Sequence, residues 1–189
     1  MKAYEIIRLA CLMTDNDALA EKLTEENIAS FDENFSAKEK ETVKKYLDSL
    51  NFIQNEIATE RQLLVTEETL STDNFKISLD QFSKPICDVL SVKDLIGRNV
   101  KFKVYPSYVL AFANVVKVQY VYAPEKLELT CELEITLPEH ILAAGVAREY
   151  CLRMGLYEDA EMFERRFKDG LKVMLRKKAE IKMPGRRWF

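Results

Sequence analysis

An apolar stripe that recurs every three or four residues, from Ser36 to about Leu64, constrains the fold more than any other feature. Such spacing places the stripe on one face of an α-helix. Ser36 followed by Glu39 has the form of a capping box, in which a hydroxyl and a carboxylate each bind a backbone N–H of the first turn. The sequence therefore predicts one long helix over residues 36–64, roughly 40 Å in length. Its apolar members are Val43, Tyr46 or Leu47, Leu50, Ile53 and Ile57.

The period of the apolar pattern changes in the middle of the chain. Residues 100–104 (VKFKV) alternate strictly between apolar and polar side chains, and residues 116–122 (VKVQYVY) nearly do. Alternation of this kind is typical of a strand with one buried face. Turn residues at 97–99 (GRN) and 113–114 (AN), together with Pro106 and Pro124, separate the strands. The pattern predicts a small antiparallel sheet of about five strands between residues 65 and 137.

Helical patterns flank this middle region on both sides. Residues 3–13 predict a short amphipathic helix, and residues 14–35 predict a loop with a helical turn around 18–23. Pro138 opens a buried helix that ends at Gly155. A second helix then begins near Glu158, so that the two form an αα-hairpin. The apolar stripe of this second helix contains Ala160, Phe163, Phe167, Leu171 and Met174 or Leu175.

Together these patterns predict an α+β fold with a long N-terminal helix, a small antiparallel β-sheet in the middle, a C-terminal αα-hairpin and an extended tail. We expect a helical domain formed by residues 1–64 and 138–181, with a β domain, residues 65–137, inserted between the helices. Pro184 and Gly185 stop the last helix, so residues 182–189 are predicted to form a C-terminal docking tail.

Signatures of catalysis and of metal binding are missing from the sequence. It has no Gly-rich phosphate loop, G-x-S-x-G elbow, H-E-x-x-H helix or Walker lysine. His140, the one histidine, could polarise a substrate, but a lone histidine in the first turn of a helix is more often a packing or capping residue. Glu132 and Glu134 are expected to be solvated. We therefore expect a protein that is not an enzyme, with no catalytic residue, no metal site and no cofactor.

Cysteine spacing and hydropathy limit where the protein works. The four cysteines, Cys11, Cys87, Cys131 and Cys151, lie far apart with no C-x-x-C pair, which favours buried, reduced thiols. No stretch approaches the roughly 18 consecutive apolar residues of a membrane span. Charges at Glu5 and Arg8 interrupt the segment where a signal peptide needs an unbroken apolar core. We expect a soluble, non-secreted protein that does not bind membranes.

The net charge of −3 conceals a strong asymmetry along the chain. Residues 165–189 contain ten basic side chains and two acidic ones, whereas the first 164 residues contain 18 basic and 29 acidic side chains. The predicted partner-binding residues lie at the basic end, where Trp188 and Phe189 follow a helix breaker. Arginine and aromatic residues of this kind dominate protein interfaces. They are Arg176, Lys177, Lys178, Lys182, Arg186, Arg187, Trp188 and Phe189.

The basic end of the chain also allows three alternative interpretations. Acidic residues at the start and basic residues at the end of the last helix are what the helix dipole favours, with no ligand needed. The basic residues beside Trp188 could instead contact nucleic-acid phosphates and bases, although an acidic body repels phosphate. The tail could also pack on its own domain. The alternative function is therefore a small nucleic-acid-binding or regulatory protein that uses its basic C-terminal tail.

Several segments resemble head-to-tail connector (adaptor, or gatekeeper-like) proteins of tailed bacteriophages. None of these segments is a catalytic signature, and the likeness covers most of the chain from about residue 36. The segments are residues 50–60 (LNFIQNEIATE), 104–108 (VYPSY), 119–124 (QYVYAP), 145–160 (GVAREYCLRMGLYEDA) and 186–188 (RRW).

The resemblance implies a structural subunit of the virion, made in the cytoplasm of the host bacterium. Such subunits form a ring of about twelve copies that joins the portal of the head to the tail. The expected partners are the portal protein, neighbouring copies and tail proteins, with the C-terminal segment reaching the portal. DNA would pass through the channel without specific binding, and an acidic wall would keep the duplex from sticking.

Overall fold

The protein has a mixed α+β fold with small antiparallel sheets. A computed structural model describes residues 1–61, 64–135 and 137–174. Within these residues seven α-helices and six β-strands follow one another, with one 3-10 turn at Leu79–Gln81. The helices are α1 (Ala3–Met13), α2 (Asp17–Lys22), α3 (Glu25–Ala29), α4 (Phe31–Asn34), α5 (Ala37–Arg61), α6 (Glu139–Met154) and α7 (Tyr157–Met174). The strands are β1 (Val65–Ser71), β2 (Lys76–Ser78), β3 (Ile86–Lys93), β4 (Phe102–Val104), β5 (Tyr108–Ala111) and β6 (Val115–Tyr122).

Helix α5 begins at the capping box that the sequence indicates. The backbone N–H of Ser36 donates to Glu39 Oε2 at 2.8 Å, and the backbone N–H of Glu39 faces Ser36 Oγ at 3.4 Å. These contacts satisfy donors that the first turn leaves unpaired. The helix runs for 25 residues, and its predicted apolar stripe is buried.

Residues 14–35 contain the helical turn predicted around 18–23, as α2, but also two helices where a loop was predicted. They contain three helices, α2, α3 and α4, none longer than six residues. Each of the first two directs one or two apolar side chains into the helical core, including Leu19 and Ile28. Helices this short form when packing holds them, because their own hydrogen bonds do not repay nucleation. Composition alone did not indicate α3 and α4.

The strands form two three-stranded sheets, which corrects the prediction of a single sheet. The first has the order β1-β6-β3 and the second the order β2-β5-β4, and all neighbouring strands are antiparallel. Alternating residues of both sheets point into one shared hydrophobic cluster. Alternation marks which residues of a strand face the core, but it does not say which strands pair.

Two hydrophobic clusters stabilise the described part of the chain. The larger combines the buried faces of the helices with Leu127, Ile135 and Leu137 from the segment after β6. The smaller lies between the two sheets and includes Phe82 and Tyr120, whose rings meet edge to face with centroids 5.0 Å apart. The partly buried side chain of Tyr122 packs against both clusters.

Helices α6 and α7 pack together after a tight turn at Gly155, whose φ of 76° is a left-handed conformation that glycine adopts without strain. Pro138 is the N-cap of α6, so the helix begins at Glu139, one residue later than the sequence predicts. The α7 stripe is buried as predicted from Ala160 to Leu171, but Met174 is half exposed. Within α6, Gly145 allows close approach: a Cβ there would lie 3.0 Å from Phe167 of α7 and 3.1 Å from Ile53 of α5.

The cysteines follow the predicted burial only in part. Cys11 and Cys151 are buried, Cys131 is partly buried and Cys87 is exposed, and all four are free thiols. Cys87 departs from the prediction because the register of β3 against β6 shifts between Ile86 and Asp88. An extra residue in one strand leaves the alternation out of phase, so this thiol turns outward.

None of the helices in the described residues is both long and apolar enough to cross a membrane.

Candidate functional site

The eight residues predicted to bind a partner, from Arg176 to Phe189, lie outside the described residues. The structure does describe the basic residues that precede them on α7. Arg165 pairs with Glu161 at 2.6 Å, Lys168 with Glu164 at 2.5 Å and Lys172 with Asp169 at 3.3 Å, and Arg166 lies over the ring of Phe163. These contacts are within the helix, so this part of the basic end needs no ligand to explain it.

The remaining polar residues that the sequence singles out do not come together as a reactive site. His140 is exposed in the first turn of α6. Glu132 and Glu134 are exposed, and Glu134 faces Lys84 Nζ at 3.2 Å. Over residues 1–61, 64–135 and 137–174, no three His, Cys, Asp or Glu side chains are arranged to hold a metal ion.

A groove of about 440 Å³ lies where α5, α6 and α7 meet. Helices α5 and α7 pack against α6 from two sides and contribute to its burial. The groove lies between α5 and α7. The apolar lining comes from Phe52, Leu152, Tyr157 and Ala160. The charged lining comes from Arg148, Glu56, Glu149, Glu161 and Glu164.

Arg148 is the cation at the base of this groove. It is only 7% exposed, and its guanidinium binds Glu56 of α5, Glu149 of α6 and Glu164 of α7. The Arg148–Glu164 distance is 2.7 Å and the Arg148–Glu149 distance is 2.9 Å. The guanidinium carbon also lies 5.2 Å from the centroid of the Phe167 ring. One side chain thus joins all three helices, and among the described residues none accepts a hydrogen bond from its Nε.

The acidic partners control the protonation of this cluster. Burial alone would lower the pKa of Arg148, but the hydrogen bonds to Glu56 and Glu164 raise it above its usual value. Burial likewise pushes the pKa of Glu164 upward, yet hydrogen bonds from Lys168 and Arg148 outweigh burial and hold that pKa below its usual value. Both groups therefore stay charged at neutral pH. The four carboxylates of the lining are balanced by Arg148 and by Arg165 and Lys168, which pair with Glu161 and Glu164, so one negative charge remains in excess.

The apolar part of the groove is open to solvent. Phe52 is 50% exposed and Tyr157 is 71% exposed, and Leu152, Met154 and Leu156 nearby are each more than two-fifths exposed. Large apolar side chains that adjoin one another on a surface are typical of a site that another polypeptide covers. We call this surface, with its acidic rim, the helical groove.

A second exposed apolar surface lies at the far end of the sheets. Strand β1 leaves the helices at Val65, which pairs with Val121, and reaches the other end of the sheet at Ser71, which pairs with Val115. The turns at that far end expose Phe75, Leu95, Ile96 and Phe112. Their exposed charged neighbours are mostly basic: Lys76, Arg98 and Lys101, with Asp73. We call these residues the β tip.

One turn of the β tip has an uncommon backbone. Asn74 and Phe75 both have positive φ, 49° and 63°, in the turn that joins β1 to β2. Asparagine tolerates this conformation, whereas a bulky side chain such as phenylalanine adopts it rarely and at a cost. The strained turn places the Phe75 ring beside Phe112, with centroids 6.0 Å apart, and both rings are exposed. Asn74 and Phe75 form the two-residue loop of a hairpin closed by Asp73 and Lys76, a turn that needs positive φ at both central positions.

Sequence reasoning missed both surfaces, although a signal for the helical groove was present. Phe52 falls one residue before Ile53 of the buried α5 stripe, and an aromatic ring just off such a stripe faces partly outward. Seven of the nine lining residues also fall within residues 50–60 and 145–160, two of the segments that carry the resemblance.

Comparison with known proteins assigns the chain to no family. A scan against models of protein families finds no match, and a search of curated proteins finds no significant one.

Proposed function

We propose that the protein is a structural subunit of a phage virion, which forms a ring between the portal of the head and the tail and lines the DNA channel. In this proposal residues 176–189 anchor the ring to the portal. The protein acts by assembly and carries out no reaction of its own.

One observation carries the proposal: two exposed apolar surfaces of different charge lie in separate parts of the subunit. The helical groove has an acidic lining, and the β tip has mostly basic neighbours. A ring whose neighbours meet head to tail requires two unlike surfaces on every copy. Complementary charge would also guide neighbours into the correct orientation.

The charge distribution agrees with a DNA conduit. Residues 1–164 carry 29 acidic and 18 basic side chains, so this part of each copy repels a passing duplex. The opposite charge is concentrated after residue 174, where six basic residues accompany one acidic residue. A segment of that composition, ending in Trp188 and Phe189, suits burial in a protein partner.

Portal binding is the direct test of the anchoring role. Deleting residues 182–189 should abolish co-sedimentation with the portal protein. A milder variant, Trp188→Ala with Phe189→Ala, keeps every basic residue and should weaken binding by about 30-fold or more, since one aromatic anchor contributes about 2 kcal/mol. Binding unchanged by the deletion would exclude anchoring by this segment. The native mass of the protein with and without portal then measures ring formation, for which Ile96→Glu at the β tip should be defective.

Nucleic-acid binding is the second candidate, favoured by the six basic residues after residue 174. If all six contact phosphates, the logarithm of the affinity for duplex DNA should fall against the logarithm of salt concentration with a slope of about −5. Absence of measurable binding at low salt would eliminate this function. A steep slope that disappears when residues 176–189 are removed would instead favour it over portal anchoring.

A further inference from the structure

The helical groove and the C-terminal segment have complementary chemistry. The groove offers exposed Phe52, Leu152 and Tyr157 together with four carboxylates and one guanidinium. Residues 182–189 (KMPGRRWF) offer three cations, Trp188 and Phe189 with no acidic side chain. We propose that in the unassembled subunit residues 182–189 occupy the helical groove of their own chain. This inference goes beyond the proposed function, because it concerns the protein before any partner is present.

Apolar contact is the first reason to choose this occupant. The open part of the groove is lined by aromatic and aliphatic side chains, and burying a tryptophan or phenylalanine ring against such a surface removes about 150–250 Å² from water. The segment has two such rings at adjacent positions. Without an occupant, Phe52 and Tyr157 leave half or more of their surface in water.

Charge is the second reason. The four carboxylates of the lining pair with three cations, Arg148, Arg165 and Lys168, which leaves a net charge of −1. Glu161, on the rim, keeps 68% of its side chain exposed. Arg186 and Arg187 immediately precede Trp188, so rings seated in the groove would place both guanidinium groups at its acidic rim. The β tip has mostly basic neighbours and would repel the same segment.

The length of chain also permits the contact. Ala160 lines the groove and Met174 is the last described residue of α7, so about 21 Å of helix separates them. The eleven residues between Met174 and Arg186 can span about 36 Å when extended. A tethered segment within reach has an effective concentration in the millimolar range, which favours it over a free partner. Portal and neighbouring copies would then have to displace it.

Trp188 makes the proposal directly measurable, because it is the one tryptophan of the chain. Tryptophan fluorescence of the full-length protein therefore reports on this segment alone. The wild-type protein should emit at the short wavelengths of a buried indole and resist quenching by acrylamide. Phe52→Ala should decrease the ratio of bound to free segment by about 30-fold, the equivalent of about 2 kcal/mol, and shift the emission to long wavelengths.

Matched variants separate this effect from general damage. Phe112→Ala removes a ring of similar exposure at the β tip and should leave the emission unchanged, as should Glu132→Lys. Glu161→Lys, which reverses a charge at the groove rim, should shift the Trp188 emission to long wavelengths. Circular dichroism of each variant checks that the fold is retained.

Four results would overturn the proposal. Emission of an exposed indole in the wild-type protein would show that the groove is empty of Trp188. If the emission is that of a buried indole but does not change in Phe52→Ala, or changes in Phe112→Ala instead, the segment lies elsewhere. Emission that changes with protein concentration would mean that a second copy supplies the segment. None of these results depends on the portal, so failure here is distinct from failure of portal anchoring.

Discussion

Replacing Arg148 by methionine is the most informative perturbation of the helical region. The substitution keeps an apolar side chain of similar length over Phe167 but removes the cation shared by Glu56, Glu149 and Glu164. Removing one partner of a buried ion pair costs about 3–5 kcal/mol. The three carboxylate side chains keep 14–27% of their surface exposed. We therefore expect the lower end of that range, about 3 kcal/mol.

Urea unfolding followed by circular dichroism measures this cost. With a slope near 2 kcal/mol per molar urea, the midpoint of Arg148→Met should fall by about 1.5 M. The triple variant that also carries Glu56→Gln and Glu164→Gln removes most of the stranded charge and should recover much of the loss. Recovery would show that uncompensated carboxylates, and not lost packing, cause the destabilisation.

The pH dependence gives an independent check with a definite sign. In the wild type the folded-state pKa of Glu164 is depressed, so its contribution is present above its unfolded pKa and is lost as pH falls through the folded pKa. Arg148→Met removes one of the hydrogen bonds that lower the pKa of Glu164, so the variant should lose less stability than the wild type as this carboxyl protonates. The stability difference between the two proteins should therefore stay constant near neutral pH and narrow as the pH falls below about 4.5. A midpoint change below about 0.3 M, or a difference independent of pH, would refute the role given to Arg148.

Two further substitutions or reactions test the packing described above. Gly145→Ala adds a methyl group 3.0 Å from Phe167 and 3.1 Å from Ile53; we expect a net loss of about 1–2 kcal/mol in urea unfolding, because overpacking outweighs the gain in helix propensity, and a stabilised variant would contradict the close approach of the three helices. Burial raises the pKa of Cys11 to about 12 and that of Cys151 to about 11, whereas Cys87 is exposed. Alkylation at pH 8 followed by mass spectrometry should thus modify Cys87 first and reach Cys11 and Cys151 only in urea, and early labelling of Cys11 would disprove its burial.

Local signals in the sequence predicted the larger helices because each carries its own start, stop and period. Ser36 and Glu39 mark the beginning of α5, Gly155 ends α6, and Phe163 and Phe167 define the buried face of α7. These features act over a few residues, so they are readable without knowledge of the rest of the chain.

Features that depend on distant partners were not predictable in the same way. Nothing in the alternation of β4 and β6 states that β4 joins β5 and β2 in one sheet, whereas β6 joins β1 and β3 in another. The outward position of Cys87 depends on a register shift against β6. The division into a helical domain and an inserted β domain stays a prediction.

The helical groove escaped sequence reasoning because three elements create it. Phe52, Arg148 and Tyr157 are far apart in sequence, and each has an ordinary explanation on its own helix. Only the crossing of α5, α6 and α7 makes them neighbours. The predicted anchoring residues beyond position 174 stay a prediction.

The contact of Tyr122 with both hydrophobic clusters has a consequence for local opening of the subunit. Because this side chain packs against both hydrophobic clusters, the helices and the sheets are coupled there, yet each has its own set of buried contacts. Regions with separate cores can open to solvent in separate cooperative units, at different free energies. Amide hydrogens of β5, beside the smaller cluster, should then exchange with deuterium sooner than those of α6, and Tyr122 would set how strongly one opening drives the other.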